Sequence, residues 1–328
     1  MMAANKPVLL KPYGNADRER RIFSDVAEVR NPSCATEKEL SEAVADADVL
    51  IADVDIQVTR PVLAGAKRLR GVMACSIGVD YVDLQAATEL GIYVANLPDY
   101  CINAVAEFAI GLVFSAARHI PQGVECVRSQ NWNGRRVLKG IELRGRRLGL
   151  VGFGKIGQLV GQKGLGLGMT VSYFDPLVGP KSPVSGCTAS ASLDELLASS
   201  DVVSVHVPLT AGTRGLLSYE ALTRMKPSAL LVNVSRGGIV DEADLYRALK
   251  EKKLAGAALD VLAIEPIEPN HPLTTLDNVL ITPHMAWNTE ESKANSEDSI
   301  VEQVHQLLEG RPPTHLVNRG VVPHGRTR

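Results

Sequence analysis

Several classes of protein are excluded by what this 328-residue chain lacks. Its five cysteines, Cys34, Cys75, Cys101, Cys126 and Cys187, are odd in number, widely spaced and form no Cys-x-x-Cys pair. That argues against a disulfide framework or a structural zinc site and fits a reducing cytoplasm. With 35 basic against 37 acidic residues the net charge is −2, which leaves no basic footprint for nucleic acid. No basic-then-apolar leader opens the chain, and the most apolar stretch, Ala104 to Ala117, carries Glu107 and is too short to span a bilayer. Neither a nucleic acid nor a membrane is an expected partner. Also missing are a Gly-x-Ser-x-Gly elbow, a Walker phosphate loop and a His-Glu-x-x-His helix. His119, His271, His305, His315 and His324 are scattered without ligand spacing, so no metal site is expected.

What is present is ordinary globular material, 45% apolar and 22% charged, at a length that suggests about two domains. After residue 145, short apolar β-rich runs alternate with helical patterns, the signature of a parallel sheet covered on both faces. Strands are expected at 147–152, 169–174, 201–207, 229–234, 255–260 and 278–282, six in all, enough for two mononucleotide-binding halves. Ser192 with Glu195 reads as a capping box, and Asp241 as the cap of a helix through Leu249. The first hundred residues repeat the style, with strands expected at 7–11, 27–30, 48–52, 70–74 and 92–95 and a capping box at Thr36 and Glu39. Asn103 to Arg118 reads as a long apolar helix, and 119–145 as a poor core segment suited to a dimer arm. Glu290 to Leu308 has helical spacing and is expected to return to the first domain, followed by a loose tail from Val321 to Arg328. The expected fold is α/β with two Rossmann-like domains. A smaller flavodoxin-like domain spans 1–100 plus 291–328, and a doubly wound parallel-sheet domain spans 101–290.

Directly after the run Leu148-Gly149-Leu150-Val151 stands Gly152-Phe153-Gly154-Lys155-Ile156-Gly157. In such a turn the first glycine permits the sharp bend, the second lets a pyrophosphate approach the backbone, and the third packs the following helix on the strand. The next strand ends in Asp175, where a carboxylate accepts hydrogen bonds from ribose hydroxyls and repels a 2′-phosphate, favouring NAD over NADP. His206, Pro208 and Thr213 after the third expected strand, and Val234 after the fourth, are expected to line the same nucleotide.

Three ionisable residues lie just past three consecutive strands of this sheet: Arg236, Glu265 and His284. Ligands of open parallel sheets sit outside the carboxyl ends of the strands, so these groups and the glycine turn converge on one edge. Their types fit hydride exchange between a nicotinamide and a 2-oxo or 2-hydroxy acid. Arg236 grips a carboxylate through its planar fork. His284 titrates near working pH and serves as acid or base, and a carboxylate partner, Glu265, favours its charged form. Asp260, at the end of the fifth expected strand, is placed to seat the nicotinamide amide.

At these residues the chain resembles the D-isomer-specific 2-hydroxyacid dehydrogenases over nearly its full length. The likeness rests on the glycine turn with Asp175, Asn233-Val234-Ser235-Arg236-Gly237, Leu259-Asp260-Val261 leading to Glu265-Pro266, and Asn278 to His284. It implies Arg236, Glu265 and His284 as catalytic residues, Asp260 as the cofactor-amide residue, NAD(H) as cofactor, a first domain that binds substrate, and a homodimer. Ser76-Ile77-Gly78-Val79-Asp80 looks like the family's substrate loop, whose backbone N–H groups receive the carboxylate. Pro98-Asp99-Tyr100-Cys101 and Met285-Ala286-Trp287 are similar to the branch that holds the C-terminal-binding corepressors and bacterial dehydrogenases. Trp287 either shapes the substrate pocket or packs at a hinge.

The chain also departs from relatives. Phosphoglycerate dehydrogenases carry basic residues after the strand near residue 50, where this chain has Asp53 and Asp55, and a phenylalanine usual after the Asp-Val pair is Leu262. The length is expected to leave no room for an added regulatory domain. The function expected is reduction of a small 2-oxo acid to its D-2-hydroxy acid with NADH. The alternative is an NAD(H)-gated regulatory protein of the corepressor type, with vestigial activity.

Overall fold

The computed structural model describes residues 6–323, so residues 324–328 of the expected loose tail, His324 among them, lie outside the described residues. The chain forms two compact units, Met1–Tyr100 with Glu290–Arg328, and Cys101–Thr289.

The first unit is built on five parallel strands, β1 (Val8–Leu10), β2 (Glu28–Arg30), β3 (Val49–Ala52), β4 (Gly71–Ala74) and β5 (Tyr93–Ala95). Their order, β2-β1-β3-β4-β5, is the flavodoxin-like one. β1, β3, β4 and β5 are buried throughout, which is why they read as continuous apolar runs rather than alternating ones. One face is covered by Leu40, Val44, Val62, Leu63, Ala86 and Ala87 from three short helices. The helix Glu37–Val44 starts with the full capping box: Thr36 Oγ1 accepts from the Glu39 N–H, and Glu39 accepts from the Thr36 N–H. Phe23 joins Val304, Leu307 and Leu308 on the other face. The last three belong to the long helix Glu290–Leu308, so residues far apart in sequence close one core. Leu307 packs directly on β4, where a side chain at Gly71 would overlap it.

The second unit holds seven parallel strands rather than the six expected. These are β6 (Arg147–Val151), β7 (Thr170–Phe174), β8 (Cys187–Ala189), β9 (Val202–Val205), β10 (Leu230–Asn233), β11 (Gly256–Leu259) and β12 (Val279–Ile281). The order is β12-β11-β10-β9-β6-β7-β8, so the sheet is wound outward in both directions from β6 and β9. The extra strand β8 is a three-residue edge element paired to β7, and it makes the strand before His206 the fourth of the sheet, not the third. Ser192 caps the Glu195 N–H, but the Glu195 carboxylate reaches the Ala191 N–H instead of closing the box.

The helix Lys155–Gly166 after the glycine turn carries glycines that each cost on the order of 1 kcal/mol in a helix interior. Packing explains them. A side chain at Gly164 would come within 2.7 Å of Leu148 Cδ2, and one at Gly161 within 3.1 Å of Cys187 Sγ. The helix Ile102–Arg118 buries Ala104, Val105, Ala106, Ala109, Leu112, Val113 and Ala117, and ends at His119 in the left-handed region (φ 52°). By contrast, the following helix, Ile120–Arg128, buries none of its residues. None of the five cysteines is in a disulfide. Among the described residues no single helix is long and apolar enough to cross a membrane.

Because Leu307 fills the core beneath β4, Leu307→Ala is expected to destabilise the first unit by about 2–5 kcal/mol. Urea unfolding followed by hydrogen exchange of the β3 and β4 amides checks this, and unchanged protection there would contradict the packing described.

Candidate functional site

At the carboxyl end of β6, the glycine turn has the geometry a nucleotide requires. Gly152 sits at φ 93°, and a side chain there would come within 2.7 Å of the His206 carbonyl group. A side chain at Gly157 would overlap the Gly152 carbonyl oxygen, so only glycine lets the helix start this close to the strand. At Gly154 a side chain would meet nothing within 4 Å. The turn is therefore closed on its inner side and open at its middle glycine, beside the start of the helix that begins with Lys155 and Ile156. Helix starts present backbone N–H groups and positive dipole to anions, so these residues fit a dinucleotide pyrophosphate.

Asp175 follows β7 and lies against this turn. Its Oδ2 accepts from the Phe153 N–H at 2.8 Å and its Oδ1 from the Leu177 N–H at 2.9 Å. Under the turn, Phe153 stacks on Tyr173 with ring centroids 4.0 Å apart. After β9, the His206 Nε2 meets Ser204 Oγ at 2.8 Å, while Nδ1 is shut off from solvent without a partner. Burial pushes this imidazole down to about 3, so it is neutral at working pH. Thr213 Oγ1 donates to the Pro208 carbonyl at 2.6 Å and accepts from the Thr210 N–H at 2.8 Å, folding the loop back on itself.

The loop after β10 is shaped by Asn233, which the sequence marks only as the first residue of its motif. Asn233, 1% exposed, accepts from the Ser235 N–H at 3.0 Å and donates to the Arg236 carbonyl at 2.9 Å. Ser235 Oγ adds a bond to the Val205 carbonyl at 2.8 Å. Val234 is buried between them. Next in the chain, Gly237 lies flat on the Leu262–Ala263 peptide, where any side chain would overlap backbone. That contact joins the arginine loop to the loop carrying Glu265.

Glu265 and His284 form the centre. Glu265 Oε1 accepts from the Leu262 N–H at 2.8 Å, and Oε2 lies 2.7 Å from His284 Nδ1. Burial by itself would raise the Glu265 carboxyl. The bonds from His284 and the Leu262 N–H, together with the charge of Arg236, outweigh it and hold the group below the usual carboxylate range. His284 stands at φ 49°, and its N–H donates to the Asp260 carbonyl at 2.8 Å. The Asp260 side chain has a job the sequence did not point to. It is 1% exposed, and its carboxylate accepts from Thr282 Oγ1 and from the N–H groups of Met285 and Ala286, at 2.5–3.0 Å. It thus anchors the segment that carries His284. Trp287, 38% exposed, donates its indole N–H to the His284 carbonyl at 3.1 Å.

Ser76, Ile77 and Gly78 belong to the first unit, past β4. Ser76 is buried, with Oγ donating to the Gly78 carbonyl at 2.7 Å and lying 2.9 Å from the Tyr81 hydroxyl. Asn96 donates to the Ile77 carbonyl at 2.7 Å, so the loop is held from both sides. Among the described residues no group of three or more His, Cys, Asp or Glu side chains is arranged to hold a metal ion.

A doubly wound sheet with this glycine turn defines a dinucleotide-binding domain, and its carboxyl edge bears the hydrogen-bonded Glu265–His284 pair. Residues 110–286 match the family model described as D-isomer specific 2-hydroxyacid dehydrogenase, NAD binding domain, and the chain belongs to that family. Its cofactor is a nicotinamide dinucleotide. The chain is 40% identical to a D-3-phosphoglycerate dehydrogenase of Methanocaldococcus jannaschii over 92% of its own length, but it spans only 58% of that relative. It is 37% identical to a glyoxylate reductase of Korarchaeum cryptofilum over 88% of this chain and 87% of that one. A solved structure from Thermus thermophilus aligns with TM-score 0.86 and 36% identity, covering 95% and 99% of the two chains.

The half-buried, neutral His206, with its Nδ1 shut off from solvent, sets a pH dependence of stability. Its folded value lies far below the ordinary 6.5, so below about that pH the unfolded chain takes up a proton that the folded chain does not. Stability is expected to fall as the pH drops from there, by up to about 1.4 kcal/mol per pH unit. Urea midpoints compared at about pH 7 and pH 5 should differ less in His206→Gln than in the parent. An equal difference in both would contradict the assignment.

Proposed function

We propose that the protein reduces small, unphosphorylated 2-oxo acids to D-2-hydroxy acids, using NADH in preference to NADPH. The observation that carries this reading is the 2.7 Å Glu265–His284 contact, with Arg236 acting on the same carboxylate, on the sheet that bears the glycine turn. Gly152, Gly154 and Gly157 with the helix start at Lys155 and Ile156 would hold the pyrophosphate, and Asp175 the adenosine ribose. His206, Pro208, Thr213 and Val234 would line the remainder. When bound, the nicotinamide supplies the hydride.

The chain's own residues do the rest. Arg236 takes the substrate carboxylate in its planar fork and draws electron density from the adjacent carbonyl. Glu265 occupies His284 Nδ1, which leaves Nε2 to deliver a proton to the carbonyl oxygen and to retrieve it in the reverse direction. The ionised Glu265 stabilises the imidazolium and fixes its plane. Asp260, bonded to the Thr282 hydroxyl before His284 and to the Met285 and Ala286 N–H groups after it, holds that segment in place as well as lying where a nicotinamide amide is expected. Asp53 and Asp55 follow β3, where phosphoglycerate dehydrogenases are expected to carry basic residues, and this difference in charge favours an unphosphorylated substrate. The glyoxylate reductase relative, matched over most of both chains, agrees with a small substrate. The exposed apolar residues Ile120, Val124, Val127 and Trp132 fit the dimer arm expected from the sequence.

The test is a panel containing glyoxylate, hydroxypyruvate and 3-phosphohydroxypyruvate, each with NADH and NADPH, read by loss of nicotinamide absorbance. Turnover of the unphosphorylated acids with NADH is expected, and His284→Ala is expected to lower it by roughly 10²-fold or more while NADH still binds. Absence of turnover across the panel with NADH binding intact would overturn the reading, and preference for NADPH would overturn the role given to Asp175.

A further inference from the structure

A second carboxylate–histidine pair stands behind the one just described. Glu242 is the first residue of the helix Glu242–Lys250, whose cap is supplied by its neighbour Asp241, bonded to the Asp244 N–H at 2.9 Å. The Glu242 carboxylate is directed elsewhere. Its Oε1 accepts from the Ala263 N–H at 2.5 Å and its Oε2 lies 3.0 Å from His271 Nε2. Both side chains are largely enclosed, 17% and 16% exposed.

The position of the proton on His271 follows from its surroundings. His271 Nδ1 is shut off from solvent and has no partner, so a proton there would be a buried, unmatched donor. The arrangement that leaves no such donor has the proton on Nε2, donated to the Glu242 carboxylate. The pair is then a fixed strut, His271 to Glu242 to the Ala263 amide.

That amide is next to the one that holds Glu265. The Leu262 N–H donates to Glu265 and the Ala263 N–H to Glu242, so two consecutive amides are held by two carboxylates. Gly237 lies on the peptide that carries the second of these amides. Displacing this stretch of backbone would shift Leu262, whose N–H holds Glu265 in the geometry in which it grips His284. We propose that Glu242 and His271 are positioning residues for Glu265, acting through the Leu262–Ala263 peptide. This rests on the acid–base role given above to Glu265 and His284.

The experiment uses the full chain with NADH and the best acid of the panel, together with ¹⁵N-labelled imidazole spectra that need no turnover. Glu242→Ala and His271→Leu are expected to lower kcat roughly ten-fold while leaving the NADH Kd within about two-fold. His271→Gln, whose side-chain amide can still donate to Glu242, is expected to retain most of kcat. In the spectra the parent His271 should be the Nε2–H tautomer, and the His284 Nδ1–H signal should weaken or disappear in Glu242→Ala. A kcat and a His284 signal both unchanged in Glu242→Ala would overturn the proposal, as would equal losses in His271→Gln and His271→Leu. Should Glu242→Ala fail to fold, the two His271 variants give the same decision. A parent without turnover but with these spectral changes would refute the proposed reaction and leave the positioning role standing.

Discussion

The chemistry proposed for the second unit depends on one short contact, that between Glu265 Oε2 and His284 Nδ1. Neither residue is held by regular secondary structure. His284 sits in the left-handed region two residues after a strand-end threonine, and Glu265 lies in a loop beyond β11. Loops this close to a reacting centre need a second layer of bonds to fix them, because a displacement of about 1 Å costs orders of magnitude in rate. The chain supplies that layer with buried polar groups. Asp260 holds the histidine segment through three bonds, Asn233 shapes the arginine loop, and the Leu262 amide reaches Glu265.

The parallel sheet explains why these groups meet. Arg236, Glu265 and His284 follow β10, β11 and β12, which are adjacent in the sheet and in register. Their loops therefore emerge side by side, and Gly237 lets two of them come into backbone contact. The glycine turn after β6 lies where the strand order reverses between β6 and β9, the position at which doubly wound sheets bind nucleotides. Arrangement of the chain, rather than any single motif, brings the glycine turn and the Glu265–His284 pair to one edge.

Much of this was legible in the sequence, for physical reasons. Most of the parallel strands are buried and leave continuous apolar runs, and eleven of the twelve strands among the described residues fall where strands were expected. The exception, Cys187–Ala189, is three residues long, pairs on one side only and follows a segment rich in Gly, Pro and Ser, so no periodicity marks it. The glycine turn and the three ionisable residues were visible because strand ends announce loops at a known edge. The supports of the site were not. Gly237 on the Leu262–Ala263 peptide and Glu242 on the Ala263 amide are contacts between residues more than twenty positions apart, set by packing and not by any repeat. Asp260 was recognised for its place in a motif, yet its three bonds to the His284 segment carry no sequence signature.

The central claim is that Arg236 receives a carboxylate while His284, held by Glu265, faces the neighbouring carbonyl oxygen. Its most direct test is a crystal structure of the protein with NADH and oxamate, an unreactive mimic of a 2-oxo acid. The account expects the oxamate carboxylate on the Arg236 guanidinium, its amide-flanking carbonyl oxygen within hydrogen-bond reach of His284 Nε2, and Glu265 still on Nδ1. Oxamate bound away from Arg236, or His284 turned off Glu265 in the complex, would contradict it.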